Sequence, residues 1–378
     1  MRKIKLTGGN VGRHRRKIGN TILAWCLTLG VVAILGVVGV KIFLHMGRES
    51  LKKNATSSGP VIVTEIPESA ADEGESGAAV NNTPAPDTTW QENWVVYNGK
   101  VYEYNEEMLN FLVLGIDKME KVKKSKDNVS GGQADAIFLV CMNQKTSEVK
   151  LIGVNRDTMV DVVMVGIGEN GEDVIAPAEI AVQHGFGDGM EQSCELTVDA
   201  VSGLFYDLPI HGYMSFNMGG LAALSNALGG VTLTLQDDLT GIHKKWTKGT
   251  EITLKGQDTY DFLHWRDLKD FESARKRLAR QKQYLSVMSH SVLAQTKEDI
   301  TLPVRLYTKF KPYIVTNLSV DQISWLASRL VDYTIDTDTI YSLEGETKMG
   351  QQFEEFYPDK EALKALMFEL FYDEVNLD

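Results

Sequence analysis

The sequence predicts an α/β fold: an α-β-α sandwich on a central mixed β-sheet, preceded by one transmembrane helix. Three observations predict it. Apolar runs of strand length alternate with stretches of helical periodicity from residue 109 onward, the pattern of helices layered on a sheet. Two of those runs, Ile137–Met142 and Val149–Val154, are joined by a short polar turn and so pair antiparallel. Ahead of them, no charged residue occurs between Ile18 and Val40, a run long enough to cross a hydrocarbon core of about 30 Å as a helix.

Residues 1–20 form a basic tail with seven Lys and Arg and no acid, in a chain whose net charge is −12. Basic residues ahead of the apolar run place the N-terminus in the cytoplasm, with a single-pass signal anchor over 21–46 in the cell membrane. A cleaved signal peptide fits less well. Its apolar core would be about 7–15 residues with a small-residue cleavage site, whereas here the run is longer and bulky Lys41 to Met46 follow. Residues 47–92 are rich in Ser, Thr, Ala, Glu, Gly and Pro and read as a flexible extracytoplasmic tether. A globular domain over 93–345 and an acidic C-terminal segment over 346–378 complete the expected organisation. Hydrophobic content of 43% and charged content of 24% suit a folded body. Its acidity excludes general nucleic-acid binding, which needs a broad basic footprint.

Within the domain, Asn98-Gly99 between β-formers signals a tight hairpin. Leu109 to Ile116 reads as a buried strand ending at Asp117, and Gln133-Ala134-Asp135 opens the strand 137–142. Its partner strand ends in Asn155-Arg156-Asp157-Thr158, so Asp135 and Arg156-Asp157 fall at one end of the sheet. Asp117 joins them if its strand runs parallel to 149–154. Carboxylates beside an Arg at a sheet edge suit a divalent cation carrying a phosphate, or else an ion pair closing a hairpin. Residues 161–180 read as an acidic loop. Helices are expected over about 190–205, 218–228 and 320–330 and from Pro358, and strands over 210–216, 231–235 and 339–343. His184 and His211 are isolated, and Cys141 and Cys194 lack metal-ligand spacing; core positions suit all four.

The segment Arg266–Gln283 stands out, with seven Lys and Arg among its eighteen residues. From Ser273 it has helical periodicity, so Arg277, Arg280 and Gln281 lie one turn apart. Guanidiniums gathered on one face suit a multiply charged oxyanion, since Arg grips phosphate bidentately and keeps its charge. A solvated basic face paired with Asp267, Asp270 and Glu272 is the plain alternative.

Six motifs in order resemble the LytR-CpsA-Psr family of bacterial envelope proteins: Phe111 to Asp117, Ala134-Asp135-Ala136, Val154 to Thr158, Ala227 to Val231, Leu254-Lys255-Gly256, and Arg277-Leu278-Ala279-Arg280-Gln281. The resemblance covers about Leu109 to Val292. It implies transfer of a glycopolymer, teichoic acid or capsular polysaccharide, from a polyprenyl-pyrophosphate carrier in the membrane onto a peptidoglycan hydroxyl. It also implies that Asp117 and Asp135 hold Mg²⁺, or Mn²⁺ in its place. Arg156, Arg266, Arg277 and Gln281 would grip the phosphates, with Arg280 in the same motif. Asp135 or Asp157 would take the acceptor's proton. Two positions depart from the family pattern: Gln133 and His264 stand where the family often has Arg. His264 can still donate a hydrogen bond to phosphate. The departures leave room for a non-catalytic protein that binds polyprenyl pyrophosphate or scaffolds wall synthesis.

Overall fold

The computed structural model describes residues 45–62, 90–267, 269–299, 301–329 and 332–377. Helical residues 45–53 (α1) precede the hairpin β1 (Trp94–Tyr97) and β2 (Lys100–Tyr104), then β3 (Met108–Ile116), β4 (Ala134–Asn143) and β5 (Glu148–Val154). A second hairpin, β6 (Met159–Met164) and β7 (Val174–Glu179), leads to α2 (Ile180–Gln183) and α3 (Glu191–Leu204). Next come β8 (Gly212–Asn217), α4 (Met218–Ala227), β9 (Val231–Thr234), β10 (Glu251–Leu254), α5 (Gln257–His264) and α6 (Ser273–Glu298). The last part holds α7 (Leu302–Phe310), β11 (Ile314–Thr316), α8 (Val320–Arg329) and β12 (Thr334–Ser342). It ends with β13 (Gly345–Met349), β14 (Glu354–Pro358), α9 (Lys360–Phe371) and β15 (Tyr372–Glu374).

The central sheet has the order β11-β8-β3-β4-β5-β12 and is mixed. β3 pairs antiparallel with β4 and parallel with β8, and β4 pairs antiparallel with β5. β3 and β5 therefore run the same way, which brings the residues after β3, at the start of β4 and after β5 to one edge. Side chains alternate between the two sheet faces. Leu112, Leu114, Leu139 and Ile152 pack with Val201 of α3, Phe205 just after it, and Met367 and Phe371 of α9. On the opposite face Phe111 and Val149 meet Trp325 of α8, while Phe138 and Leu151 meet Leu278 of α6. Helices thus cover both faces. The tight turn at Asn98 and Gly99 takes positive φ at both residues, 49° and 75°, as a two-residue hairpin requires.

Three expectations need correction. Residues 161–180 are not a loop: β6 and β7 pair along their length, with Val162 fully buried between exposed Asp161 and half-buried Val163. The stretch expected as tether from residue 47 is folded at its start. Leu51 is fully buried against the α8 face, and Arg48 and Lys52 pair with Glu107 at 3.0 and 2.7 Å. Nor does residue 346 start a separate segment. β15 pairs with β2, and α9 supplies Leu363, Met367, Phe368 and Phe371 to the largest core.

Cys141 and Cys194 are buried free thiols, as expected for core positions. Burial lowers the pKa of both His184 and His211 to about 4, so each is a neutral hydrogen-bonding group at pH 7. The expected basic tail, the expected membrane helix up to residue 44 and residues 63–89 of the expected tether lie outside the described residues. Among the described residues no helix is long and apolar enough to cross a membrane.

Candidate active site at the edge of the central sheet

The site is organised by a bulge. In the β3–β4 ladder Gly115 faces Ala136 while Ile116 faces Ala134, so Asp135 is an extra residue with no partner opposite. Strict alternation from Ile137, Leu139 and Cys141 would put Asp135 on the α3 face of the sheet. The bulge turns it to the α6 face instead. The carbonyl that the bulge frees is not wasted: Gln281 Nε2 donates to Asp135 O at 3.1 Å.

Asp135 is 4% exposed. Its carboxylate is bracketed by two guanidiniums: Arg277 reaches Oδ2 and Oδ1 at 3.0 and 3.2 Å, and Arg156 Nη1 bonds Oδ1 from the other side. His264 Nε2 lies 3.4 Å from Oδ2, its ring stacked on Tyr260 with centroids 4.9 Å apart. Bidentate charge-assisted bonds of this kind fix geometry as well as supply energy. Burial lowers the proton affinity of Arg277, though a guanidinium keeps its proton at neutral pH.

Arg156 joins the parts. Its Nη2 donates to Gln133 Oε1, and its Nε stands 3.2 Å from Asp157 Oδ1, a charge contact without hydrogen-bond geometry. Gln133 in turn donates its backbone N–H to Asp117 Oδ1 at 2.7 Å. Asp117 is pushed towards its neutral form, first by burial and further by the Asp135 charge, against the Gln133 hydrogen bond. It lines an open cleft of about 530 Å³. An acid whose proton affinity is raised in part by a neighbouring carboxylate fits a divalent cation, whose charge relieves that repulsion. Among the described residues no group of three or more His, Cys, Asp or Glu could hold a metal, so a cation between these two acids would draw its remaining ligands from water and phosphate.

Gly132 makes the approach to Asp117 possible. Its φ is +88°, and a Cβ there would stand 2.8 Å from Ile116 Cγ2 and 3.0 Å from Asp117 Oδ1. Gly132→Ala is expected to lower stability by about 1–3 kcal/mol and to displace the Asp117 carboxylate. Chemical denaturation and a crystal structure of the variant check this; an unshifted carboxylate would count against it.

Asp157 follows the Asn155 turn, with Asn155 Oδ1 accepting its N–H at 3.1 Å. Burial raises its pKa despite Arg156, Arg266 and Arg277 nearby, and Arg266 Nη1 lies 3.5 Å from Oδ2. The folded state therefore binds this proton more tightly than the unfolded chain. Stability from this group rises as pH falls through the folded pKa and is lowest above it. Asp157→Asn is expected to melt no lower than wild type at pH 7, with its advantage vanishing as pH falls towards 3.8. Melting curves at several pH values test this, and a lower midpoint at pH 7 would refute it.

Arg280 and Gln281 are placed differently from expectation. Arg280 donates to Phe262 O and Trp265 O, Gln281 Nε2 also to Leu263 O, and Arg277 to His264 O. These four carbonyls are at the end of α5, where a helix leaves its last acceptors unsatisfied and favours positive charge. Arg280, its pKa lowered by burial to about 10, holds the end of α5 instead of facing Asp135. The reason is angular. At 100° per residue Gln281 lies 40° from Arg277 around the helix, whereas Arg280 lies 60° to the other side.

Two features escaped the sequence. Glu354 on β14 sits near Asp157 and Arg266; burial raises its pKa and its Oε2 is buried without a hydrogen-bond partner. The second is an apolar cavity of about 110 Å³ between the sheet and helices α4 and α6. Gly115, Ala136 and Phe138 line it on one side, Leu221, Tyr284 and Met288 on the other, and Gln281 stands between it and Asp135.

The LytR_cpsA_psr family model matches residues 72–371. The chain is 28% identical over 128 residues to a polyisoprenyl-teichoic acid–peptidoglycan teichoic acid transferase TagU of Halalkalibacterium halodurans, 34% of this chain and 35% of that protein. It is 25% identical over 218 residues to the TagU of Bacillus cereus, 57% of this chain and 62% of that one. The chain thus spans between about a third and two thirds of the length of these curated relatives. Its fold is similar to the crystal structure of B. subtilis TagV, with a TM-score of 0.54 at 20% identity over 70% of this chain and 96% of that chain.

Proposed function

The chain belongs to the LytR_cpsA_psr family, and from that premise we propose that it transfers a glycopolymer, a teichoic acid or a capsular or wall polysaccharide, as its phosphate from a polyprenyl-pyrophosphate carrier to a peptidoglycan sugar hydroxyl. The observation that carries this reading is the bulged, buried Asp135 clasped by Arg156 and Arg277 beside Asp117. An apolar cavity lies just beyond it. An apolar cavity beside a site suited to phosphate supports a lipid-linked phosphate donor.

In this reaction the acceptor oxygen bonds to the phosphorus carrying the glycopolymer. The bond from that phosphorus to the polyprenyl phosphate breaks, and polyprenyl monophosphate leaves. Little covalent work falls to the protein; positioning and charge stabilisation do most of it. Arg156, Arg277 and Arg266 offset the charge on the phosphates. The acceptor's proton goes to Asp157, because guanidiniums already occupy both oxygens of Asp135 while burial raises the proton affinity of Asp157. Mg²⁺ or Mn²⁺ held by Asp117 and Asp135 would supply further positive charge to the pyrophosphate oxygens. The proposed setting is the outer side of the cell membrane, with a single anchor over 21–46 and the N-terminus in the cytoplasm, supported by the basic residues ahead of the uncharged run.

A binding or scaffold role without transfer is the second reading. It is favoured by Gln133 and His264 at positions where a cation would add to the phosphate site, and by the engagement of Arg156 and Arg277 with Asp135. One assay separates the two. The chain is incubated with a short-chain polyprenyl-pyrophosphate-linked saccharide, a peptidoglycan oligosaccharide and Mg²⁺, and products are followed by mass spectrometry. A phosphodiester-linked adduct that chelation abolishes supports transfer. Retained donor with no adduct under either metal supports the binding reading. Ala136→Leu, which fills the apolar cavity, is expected to reduce use of a long-chain donor by about tenfold while sparing a two-isoprene donor; equal loss for both would sever the cavity from the lipid.

A further inference from the structure

Helix α6 turns a third face to the solvent side of the molecule. Arg275, Leu278, Ala279 and Lys282 recur at steps of three and four and form one wall of a cleft of about 480 Å³. The opposite wall is the β13–β14 hairpin, where Thr347 and Phe356 are cross-strand partners. The volume lies within the range of small-molecule sites, about 300–1,000 Å³.

The lining is chemically unlike the arginine centre. Two acids, Glu272 and Glu344, balance two bases, Arg275 and Lys282. Arg275 is already paired with Glu272 at 2.6 Å, and Lys282 donates to Ser342 Oγ at 3.1 Å. A lining with no net charge gives no attraction to a polyanion such as the carrier's pyrophosphate. Leu278 and Phe356 add an apolar floor beneath this polar rim. Apolar floor and polar rim together suit a neutral, hydroxyl-rich ligand, whose ring faces are apolar and whose edges donate and accept hydrogen bonds. The cleft also touches the reaction centre. Asn155 lines it, and Asn155 Oδ1 holds the backbone N–H of Asp157.

We infer that the cleft between α6 and the β13–β14 hairpin binds the acceptor of the transfer, an N-acetylhexosamine oligosaccharide, which rests on the transferase reading above. Its hydroxyl would enter from the Asn155 end, beside Asp157, while the carrier occupies the other faces of α6.

The test uses the full chain in detergent micelles with two probes, a β-linked N-acetylglucosamine tetrasaccharide and geranyl pyrophosphate, each titrated by NMR. Ala279→Trp and Thr347→Trp fill the cleft from opposite walls, so a folding defect in one leaves the other informative. Ala279 is exposed and Thr347 half-buried, and neither is part of the arginine centre. Each variant is expected to weaken tetrasaccharide binding by about tenfold or more and to leave geranyl pyrophosphate affinity within about twofold. Unchanged tetrasaccharide binding in both variants overturns the assignment, as does a wild-type chain that binds geranyl pyrophosphate but no tetrasaccharide. A wild-type chain that binds the tetrasaccharide in the cleft but no geranyl pyrophosphate keeps the saccharide site and removes the transferase reading.

Discussion

Arg277→Ala is expected to lower stability by about 3 kcal/mol and to slow transfer by about a thousandfold. Arg277 is 3% exposed and makes two bonds to the carboxylate of Asp135, a residue itself 4% exposed. Removing the Arg277 side chain leaves Asp135 with Arg156 as its remaining cation and the His264 imidazole farther off. An incompletely compensated buried charge is what makes broken internal ion pairs costly. Arg156 remains in place, so the effect should fall towards the lower end of the usual range. The rate loss has a second source, because the same guanidinium faces the charge that develops on the transferred phosphate. Arg277→Lys should recover part of the stability and little of the rate, since an ammonium cannot span both carboxylate oxygens. Urea denaturation and the mass-spectrometric assay measure the two effects separately. A stable, active Arg277→Ala chain would place the phosphate site elsewhere.

Asp135→Asn should be equally severe for a complementary reason. It leaves the buried Arg277 and half-buried Arg156 guanidiniums facing a neutral amide, one of whose groups is a donor pointing at donors. We expect a loss of about 3 kcal/mol and a rate below about a thousandth of wild type. The two substitutions remove the same interaction, so they should not add. The double variant Arg277→Ala/Asp135→Asn is expected to be more stable than the sum of the singles predicts by about 1–3 kcal/mol. Strict additivity in the thermodynamic cycle would mean that the pair contributes nothing, whatever its distances suggest.

Much of this site can be read in the sequence because strand ends and a helix face are local patterns. The apolar run before Asp117, the antiparallel pair between Asp135 and Asp157, and the three-and-four spacing of α6 each place a charged group without knowledge of the rest. What alternation hides is the bulge. A period of two carried back from Ile137 sends Asp135 away from α6, and only the register of β3 on β4 reverses it. Arg280 shows the same limit on a helix, where a shared turn is not a shared direction. Glu354 gives no local signal at all, since it reaches Asp157 through a hairpin about two hundred residues later in the chain. The β6–β7 hairpin is different: Val160, Val162 and Asp161 do alternate, but Gly166, Gly168 and Gly171 and the acids around them gave the stretch a loop composition.

The pairing of β15 with β2 ties the final residues of the fold to its first hairpin. A ribosome delivers β2 long before β15. Until α9 emerges, one face of β3, β4 and β5 has no cover from Met367, Phe368 and Phe371. The fold therefore cannot close on its N-terminal strands alone as it is made. A stop codon placed before α9 would leave α3 alone to cover that face, with apolar surface open to proteases, instead of yielding a shorter working version of the protein.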